Sequence, residues 1–248
     1  MDRFFVDSAP IADTKTYVSG QIRLSVITDH ILRVERVESG TFVDAATQKV
    51  MHRDFGNPTF SVKENEQNIE VTTKDRVFRV DKKTLLVIVR LHDYWVDAQQ
   101  VHLMGGTFRT LDNGLGDRIL LGENIGKVKL SDSIFSLEGV AEIDDSASYL
   151  LKENGTLSAR KEGDVDRYIL AFGKDYLGGL REFYGLTGFT PLLPKYALGN
   201  WWSRYYAYRQ QEYIDLMDKF QKKGIPLTVA TIDRDWHLVK NVPTDATA

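Results

Sequence analysis

The chain has 248 residues, of which 42% are hydrophobic and 27% are charged, and its formal net charge at pH 7 is −3. This is an ordinary globular composition with room for one large domain or two smaller ones. Basic and acidic residues are interspersed, so we expect no nucleic-acid partner. No apolar run approaches the roughly 20 residues of a spanning helix, and the N-terminus does not resemble a secretory signal. We therefore expect a cytoplasmic protein without a membrane partner.

The chain contains no cysteine. Disulfides, zinc thiolate sites and cysteine nucleophiles are therefore excluded. His237 has no partner histidine at ligand spacing. We predict no metal and no cofactor.

Up to residue 175 the chain reads as short strands, because runs of alternating or β-branched residues recur between polar turns. The predicted strands are residues 22–27, 31–37, 59–63, 69–73, 76–80, 85–91 and 167–172. The breaks between them are short and rich in turn residues, which favours hairpins between antiparallel neighbours and suggests a β-sandwich. Residues 105–148 have many glycines and little periodicity, which predicts long loops.

After Asp175 the period becomes helical. An apolar face is formed by Tyr176, Leu180, Phe183 and Tyr184. Gly185 or Gly188 would end this helix, and residues 187–194, with two prolines and a glycine, read as a connector.

A second helix follows the connector. Its apolar face is formed by Tyr213, Leu216, Met217 and Phe220, with Lys222 and Lys223 in the last turn and Gly224 just beyond. The run LTVATI after Pro226 is nearly all apolar, which is typical of a strand covered on both faces. Together with the apolar and aromatic stretch before the helix, this order predicts a right-handed parallel crossover.

Five motifs in this chain are similar to those of glycoside hydrolase family 31, the α-glucosidase and α-xylosidase family. In chain order they are Phe42-Val43-Asp44 with Ala46-Thr47-Gln48, Gly105-Gly106-Thr107 with Arg109-Thr110-Leu111-Asp112, Ile143-Asp144-Asp145-Ser146, Pro191-Leu192-Leu193-Pro194 through Trp202-Ser203-Arg204-Tyr205, and residues 232–239. Because the motifs keep the family order over more than 200 residues, chance similarity is a poor explanation.

The resemblance implies a mostly β chain in three parts. Residues 1–186 would be an N-terminal antiparallel β-sandwich with a terminal helix, residues 187–196 a linker, and residues 197–248 the strand–helix–strand start of a truncated (β/α)8 barrel. A complete barrel needs roughly 250 residues. Residues 197–248 would therefore supply about the first fifth of a barrel.

The resemblance also implies an activity. Family 31 enzymes are mostly retaining glycosidases that use one aspartate as nucleophile and another as acid/base. Both aspartates sit on later barrel strands, so we assign no catalytic residue to this chain and expect it to be inactive alone. The expected partner is an oligosaccharide or α-glycoside, and the exposed barrel edge favours self-association. The alternative is a non-catalytic carbohydrate-binding or scaffolding module, whose sugar binding would ignore Asp233→Ala.

Four residues are predicted to bind the substrate. Asp233 matches the family aspartate that holds the sugar next to the cleaved bond, although it could instead cap a loop or pair with Arg234. Tyr205 falls where the family has an aromatic wall, or it packs the barrel mouth. Trp236 offers a flat face for a sugar ring, or it is buried in a core. Arg234 replaces an apolar family residue, and it either reaches Asp235 or points to solvent.

Other residues near the barrel entry have simpler explanations. Asp235 could join Asp233 as an acid/base or metal pair, but the family pattern explains both residues without it. His237 has no partner histidine and is interpreted as structural. Trp201 and Trp202 are neighbours on a strand, so at most one can line a pocket.

Two further stretches bear on the resemblance. Asp144 and Asp145 are interpreted as a solvated acidic pair in a turn, or as part of a loop that reaches over the active site. Leu137-Glu138-Gly139 departs from the family pattern. Residues 240–248 read as having lost the resemblance altogether.

Overall fold

The computed structural model describes residues 15–38, 40–105, 132–152, 154–188 and 192–233. The chain divides into two compact units: unit 1, residues 1–189, and unit 2, residues 190–248. The strands are β1 (Thr16–Ser19), β2 (Ile22–Val26), β3 (Ile31–Arg36), β4 (Ser61–Glu64), β5 (Asn68–Thr72), β6 (Arg76–Asp81), β7 (Val87–Leu91), β8 (Tyr94–Asp97), β9 (Leu103–Gly105), β10 (Asp132–Ser136), β11 (Ala141–Asp144), β12 (Leu150–Leu151), β13 (Leu157–Ser158), β14 (Val165–Leu170), β15 (Trp201–Trp202) and β16 (Val229–Ala230). The helices are α1 (Tyr176–Thr187) and α2 (Gln210–Lys222), and a 3-10 turn covers Lys195–Leu198.

The first sheet of unit 1 has strands from both ends of the unit at its centre. Its order is β1-β2-β3-β14-β11, and all its pairings are antiparallel. β14 pairs with β3 along its whole length, from Val165 opposite Arg36 to Leu170 opposite Ile31. The middle of this sheet therefore depends on a pairing between segments far apart in sequence.

The second sheet of unit 1 is a simple meander in the order β4-β5-β6-β7-β8. Short polar turns join its strands, as predicted. In one turn the Asn65 side chain accepts hydrogen bonds from the backbone N–H groups of Gln67 (2.9 Å) and Asn68 (2.7 Å). In another, the Asp81 carboxylate accepts from Lys83 N (2.9 Å) and Thr84 N (2.7 Å). These side chains replace backbone partners and so fix the hairpin register.

One hydrophobic cluster contains inward-facing residues from both five-stranded sheets. Its fully buried members include Leu24, Leu32, Val34, Phe78, Val80 and Val89. These residues alternate along their strands with polar or charged ones, and alternation sends successive side chains to opposite faces. The two sheets therefore share a single core.

Helix α1 covers part of the opposite face of the first sheet. Leu186 of the helix joins Ile31, Tyr168 and Leu170 in a second buried cluster. The Asp175 carboxylate caps the helix by accepting a hydrogen bond from Gly178 N at 2.9 Å. Gly188 follows the last helical residue with a φ of +88°, so the predicted glycine stop is confirmed.

Each of the seven predicted strands is present, and no end differs by more than two residues from its prediction. The prediction of long loops across residues 105–148 was wrong in part, because β10 and β11 lie there. Ala141 and Ile143 point into the second cluster, so β11 alternates, but at four residues it is too short to give a clear periodic signal. Residues 106–131 lie outside the described residues. No helix among the described residues is long and apolar enough to cross a membrane.

Gly139, in the turn between β10 and β11, provides a test of backbone packing. A Cβ on this residue would lie 2.2 Å from the carbonyl oxygen of Gly173, whereas at Gly155 it would meet nothing within 4 Å. Both glycines have left-handed backbones, with φ of +81° and +78°. Gly155→Ala should therefore cost about 1–2 kcal/mol in conformational strain alone. Gly139→Ala should cost more because the backbone must also move apart.

Urea unfolding of the two alanine variants measures this difference in free energy of unfolding. Equal losses of free energy in both variants would show that the backbone at Gly139 and Gly173 moves apart without destabilising the protein.

Candidate functional site

The candidate site lies in unit 2, where two short strands pair in parallel. Trp201 is opposite Val229 and Trp202 is opposite Ala230, and helix α2 connects the strands. The predicted parallel crossover is therefore present. The helix begins where Arg209 N donates a hydrogen bond to the Glu212 carboxylate (3.0 Å), and Gly224 follows its end with a φ of +67°.

Polar contacts extend the pairing at both ends. Asn200 O accepts from Thr228 N at 2.9 Å, and the Asn200 side chain donates to Pro226 O at 3.0 Å. At the other end Trp202 O accepts from Thr231 N at 2.9 Å, and the Tyr213 hydroxyl of α2 donates to Thr231 O at 2.8 Å. The chain that follows β16 is thus attached both to the neighbouring strand and to the helix.

The two tryptophans of β15 face opposite ways, as predicted. Trp202 packs against Phe220 of α2 with the ring centroids 4.8 Å apart. Trp201 is 54% exposed, and its indole N–H donates to Ala197 O at 3.1 Å. The indole N–H of Trp202 is buried and has no hydrogen-bond partner. Trp202 therefore belongs to the helix side, and only Trp201 is available on the other side.

Asp233 and Tyr205 follow the carboxyl ends of the two parallel strands. Asp233 comes three residues after β16 and is exposed, and Tyr205 comes three residues after β15 and is 75% exposed. The carboxyl ends of parallel strands meet at the same edge of a sheet. The structure therefore places both predicted residues at one edge. Arg234, Asp235, Trp236 and His237 lie outside the described residues.

Aromatic residues that were not singled out from the sequence gather after β15. The ring centroids of Tyr206 and Tyr208 are 4.6 Å apart, and those of Tyr208 and Tyr213 are 5.2 Å apart. The Tyr208 hydroxyl is buried without a hydrogen-bond partner. The tyrosine-rich run at residues 205–208 was the available signal, but it did not reveal which of its rings would pack on the helix.

A groove of about 620 Å³ between α2 and β16 does not coincide with this edge. Its lining is mainly apolar and includes Met217, Phe220, Ile225 and Leu227, but neither Asp233 nor Tyr205. It also includes the loop that precedes β16, away from the residues that follow the strand. We therefore place the candidate site at Asp233 and not in this groove.

The prediction that the strand after Pro226 is covered on both faces was wrong for the described part of unit 2. Val229 and Thr231 are half-buried, and Ala230 and Ile232 are exposed. A strand covered on both faces needs neighbours on both sides, and among the described residues only β15 pairs with β16.

The acidic pair of unit 1 also differs from its prediction. Asp144 is exposed, but Asp145 is fully buried, so the pair is not a solvated one. The Asp145 carboxylate accepts hydrogen bonds from the Thr47 hydroxyl at 2.9 Å and from the Arg160 guanidinium at 3.1 Å. Burial raises its pKa. In the departing Leu137-Glu138-Gly139 segment, Glu138 accepts a hydrogen bond from His102 N at 2.8 Å.

Asp145 belongs to a larger set of charged side chains, buried except for the half-buried Asp44, at the outer face of the first sheet. We call this set the charge cluster; it comprises Arg23, Arg33, Glu35, Asp44, Asp145, Arg160 and Asp166. Arg33 is at its centre. Its guanidinium donates to both oxygens of Asp166 (2.8 and 2.7 Å), to Asp44 (2.9 Å) and to Val43 O (2.8 Å). The cluster contains three arginines and four carboxylates, so most of the buried charge is compensated.

The carboxylates of the charge cluster respond differently to their surroundings. Burial tends to raise the pKa of Asp166, but Arg33, Arg160 and Arg53 outweigh burial and hold that pKa below its usual value. Burial acts in the same direction on Asp44, where Arg23 and Arg33 again lower the pKa. Burial raises the pKa of Glu35 despite Arg33 and Arg23. Every member of the charge cluster is paired with another member. We therefore interpret the cluster as a stabilising feature of the fold and not as a ligand site.

Among the described residues, no group of three or more histidine, aspartate or glutamate side chains could hold a metal ion. The described residues of the candidate site offer an exposed carboxylate and aromatic rings at the edge of a parallel pair. Such groups can bind hydroxyl-rich ligands.

Comparison with known proteins shows which protein family the segment that contains the candidate site resembles. Residues 190–247 match the family model described as the glycosyl hydrolases family 31 TIM-barrel domain. Over this segment the chain is similar to glycoside hydrolase family 31, and the resemblance found in the sequence is confirmed there. The match continues almost to the end of the chain, so the reading of residues 240–248 as unrelated was wrong.

Two characterised relatives share this part of the sequence. The chain is 34% identical over 73 residues to an alpha-xylosidase of Saccharolobus solfataricus, and the match covers 29% of the chain and 10% of that relative. It is 39% identical over 71 residues to alpha-glucosidase 2 of Bacillus thermoamyloliquefaciens, covering 29% of the chain and 9% of the relative. The match thus covers about a tenth of each relative's length.

Solved family 31 structures share the fold over most of the chain. A dextranase of Flavobacterium johnsoniae in complex with isomaltotriose superposes with a TM-score of 0.54 at 17% identity, covering 95% of this chain and 35% of the dextranase. An alpha-xylosidase from a soil metagenome in complex with xylose gives a TM-score of 0.52 at 13% identity, covering 87% and 39%. At these identities the likeness concerns the fold alone.

Proposed function

We propose that this chain is the N-terminal part of a retaining α-glycosidase that hydrolyses terminal α-linked sugars of oligosaccharides. In this proposal the two sheets of unit 1 form the β-sandwich, and unit 2 begins the (β/α)8 barrel. The observation that carries it is the position of Asp233, just beyond the second of two parallel strands in a segment that matches a family 31 barrel. Barrel enzymes bind their substrates at this edge.

Asp233 would hold the sugar. A carboxylate can accept two hydrogen bonds from neighbouring hydroxyls, and hydrogen bonds to an ionised acceptor are the stronger ones. Tyr205, beyond the adjacent strand, would supply an aromatic wall. Trp236 and Arg234 follow Asp233 closely in sequence, and we assign them to the same subsite. The isomaltotriose and xylose bound to the structural neighbours support a sugar as the ligand.

The reaction itself needs two carboxyl groups about 5–5.5 Å apart on either side of the scissile bond. In family 31 they come from later barrel strands, so these 248 residues would bind the sugar without cleaving it. Loss of a nucleophile has cost about 10⁶ in rate in another hydrolase. The chain alone should therefore release no measurable p-nitrophenol from p-nitrophenyl α-glucoside.

The test restores the rest of a barrel. Joining residues 1–233 to the corresponding remainder of the Bacillus thermoamyloliquefaciens enzyme should give a hybrid that cleaves an α-glycoside. In that hybrid Asp233→Ala should lower kcat/KM by about 10²-fold or more, because two charge-assisted hydrogen bonds of about 1.5–3 kcal/mol each are lost.

Asp215→Ala is the matched control. Asp215 is an exposed carboxylate of the same unit that accepts a hydrogen bond from Gln211 at 2.9 Å. Its removal should leave kcat/KM unchanged. A hybrid with a cooperative melting transition that is inert on every α-glycoside would count against the proposal, as would an Asp233→Ala hybrid of full activity.

A further inference from the structure

The outer face of the second sheet, away from the shared core, carries a tryptophan beside two arginines. Strand register places Val77, Arg90 and Trp95 in one row across β6, β7 and β8, and Arg79 and Ile88 in the next row. Their neighbours along the strands, Phe78, Val89 and Val96, belong to the shared core. Since successive side chains alternate between faces, the five residues point away from the core. We call them the Trp95 surface.

Both arginines lie close to the tryptophan ring. The guanidinium carbon of Arg79 is 4.3 Å from the ring centroid, and that of Arg90 is 5.9 Å from it. Arg79 is held in turn by Glu70, with a nitrogen–oxygen distance of 3.0 Å. Cation–π attraction therefore restrains the ring. Trp95 nevertheless remains 39% exposed, which leaves a large part of its indole open to a ligand.

Two further features of this surface bear on ligand binding. Val77 points outward and belongs to neither buried cluster, yet it is only 6% exposed. Arg90 is exposed, and apart from its approach to Trp95 its guanidinium has no hydrogen bond or ion pair with any described residue. The surface thus combines an aromatic ring restrained by two arginines with the guanidinium donors of Arg90, which have no acceptor among the described residues.

A pyranose sugar matches this combination. One face of the sugar ring presents C–H groups that pack on an aromatic ring, and its hydroxyls accept hydrogen bonds from a guanidinium. A simple anion would use the arginines but not the ring, and the carboxylates of Glu70 and Asp97 on the same face would oppose it.

We propose that the Trp95 surface is a second glycan-binding site, at which a glucose unit of a short α-glucan stacks on Trp95 and hydrogen-bonds to Arg90. The choice of an α-glucan rests on the proposed function of the chain. The site is formed by unit 1 alone, and it needs neither Asp233 nor a completed barrel.

The experiment follows the tryptophan indole N–H signals of the 248-residue chain by NMR while isomaltotriose is added. Of the four tryptophan signals, the one missing in Trp95→Ala is that of Trp95, and it should shift on titration. Trp95→Ala should weaken the affinity about tenfold or more, and Arg90→Ala should weaken it less. Both side chains are exposed, so the melting temperature of each variant should stay near that of the parent chain.

The controls separate this site from the barrel edge. Tyr149→Ala removes another exposed ring of unit 1 and should leave the affinity read from the Trp95 signal unchanged. Binding that survives Trp95→Ala but is lost in Asp233→Ala would overturn the second site while supporting the proposed function. Binding that depends on Trp95 would stand even if the hybrid enzyme proved inert.

Two other outcomes would also overturn the proposal. One is a Trp95 signal that does not move at any soluble concentration of isomaltotriose. The other is inorganic phosphate that shifts the Trp95 signal and displaces the sugar, which would assign the surface to anions.

Discussion

Arg33→Ala should lower the free energy of unfolding of unit 1 by about 3–5 kcal/mol, because removing one partner of a buried ion pair leaves the other charges uncompensated. Arg33 is fully buried and bonds to Asp166 and Asp44. Without it, Asp166 would remain in the interior, and among the described residues its remaining ion-pair partner would be Arg160 at 2.6 Å. Since a domain is typically stable by 5–15 kcal/mol, this single change would remove much of the total.

The matched control for Arg33→Ala is Arg79→Ala. Arg79 pairs with Glu70 at 3.0 Å, but both side chains are partly exposed, and exposed pairs contribute about 0–1 kcal/mol. Urea unfolding followed by circular dichroism measures both variants. Equal losses for Arg33 and Arg79 would show that the charge cluster is not what holds the first sheet to the segment that covers it.

The loss caused by Arg33→Ala should also depend on pH. In the parent chain the pKa of Asp166 is lowered, so its contribution to stability is present above the ordinary aspartate pKa and is lost as the pH falls through the folded-state value. A protonated Asp166 needs no cationic partner. The difference between parent and variant should therefore be largest near neutral pH and shrink as the pH falls below about 4.

Native-state hydrogen exchange should find α2 protected about a thousandfold less than α1, although the helices have 13 and 12 residues. Helices of this length are marginal in water and depend on packing. In α1, Leu186 and Gly179 are fully buried, and the helix joins the second cluster. Among residues 192–233 no residue is buried, and Leu192 is 96% exposed. Opening α2 should therefore cost little of the global unfolding free energy.

If α2 is instead strongly protected, repeating the exchange at tenfold dilution shows why. Strong protection of α2 that disappears on dilution would indicate self-association through the open strand edge, which we keep as a proposal. Strong protection that is independent of concentration would show that unit 2 is stable by itself, and the prediction would be wrong.

The strands that the sequence predicted share a recognisable pattern. In β5 and β6, Ile69, Val71, Phe78 and Val80 alternate with polar or charged residues, and short polar turns separate the strands. The missed strands lack this pattern. β12 and β13 have only two residues each, and β8 begins with two exposed aromatic residues, Tyr94 and Trp95. Their existence depends on neighbouring strands and not on their own composition.

The charge cluster could not be predicted for a different reason. Arg33 and Glu35 alternate with the core residues Leu32 and Val34, which is the pattern of a strand with one face in water. The structure buries both faces, because the segment containing Val43 and Asp44 lies over the outer one. The complementary signs of Arg33 and Asp166 become visible only when the register of β3 and β14 is known.

The functional residues also divide into those that were predicted from the sequence and those that were missed. Asp233 and Tyr205 were singled out by the resemblance to family 31, and the crossover predicted from the helix, the glycine stop and the apolar run brings their positions to one edge. The Trp95 surface was missed because its arginines and tryptophan come from three strands whose register no local pattern reveals.

The position of β14 between β3 and β11 has a consequence for synthesis of the protein. Chains are made from the N-terminus at about 5–20 residues per second. Until Leu170 has left the ribosome, β3 lacks one neighbour and Arg33 lacks Asp166. The meander of β4 to β8 can pair as soon as it emerges, whereas the first sheet must wait with an unpaired edge and without the Asp166 partner of Arg33. A nascent chain from which Leu170 has not yet emerged thus exposes an edge of β3 that is open to wrong pairing.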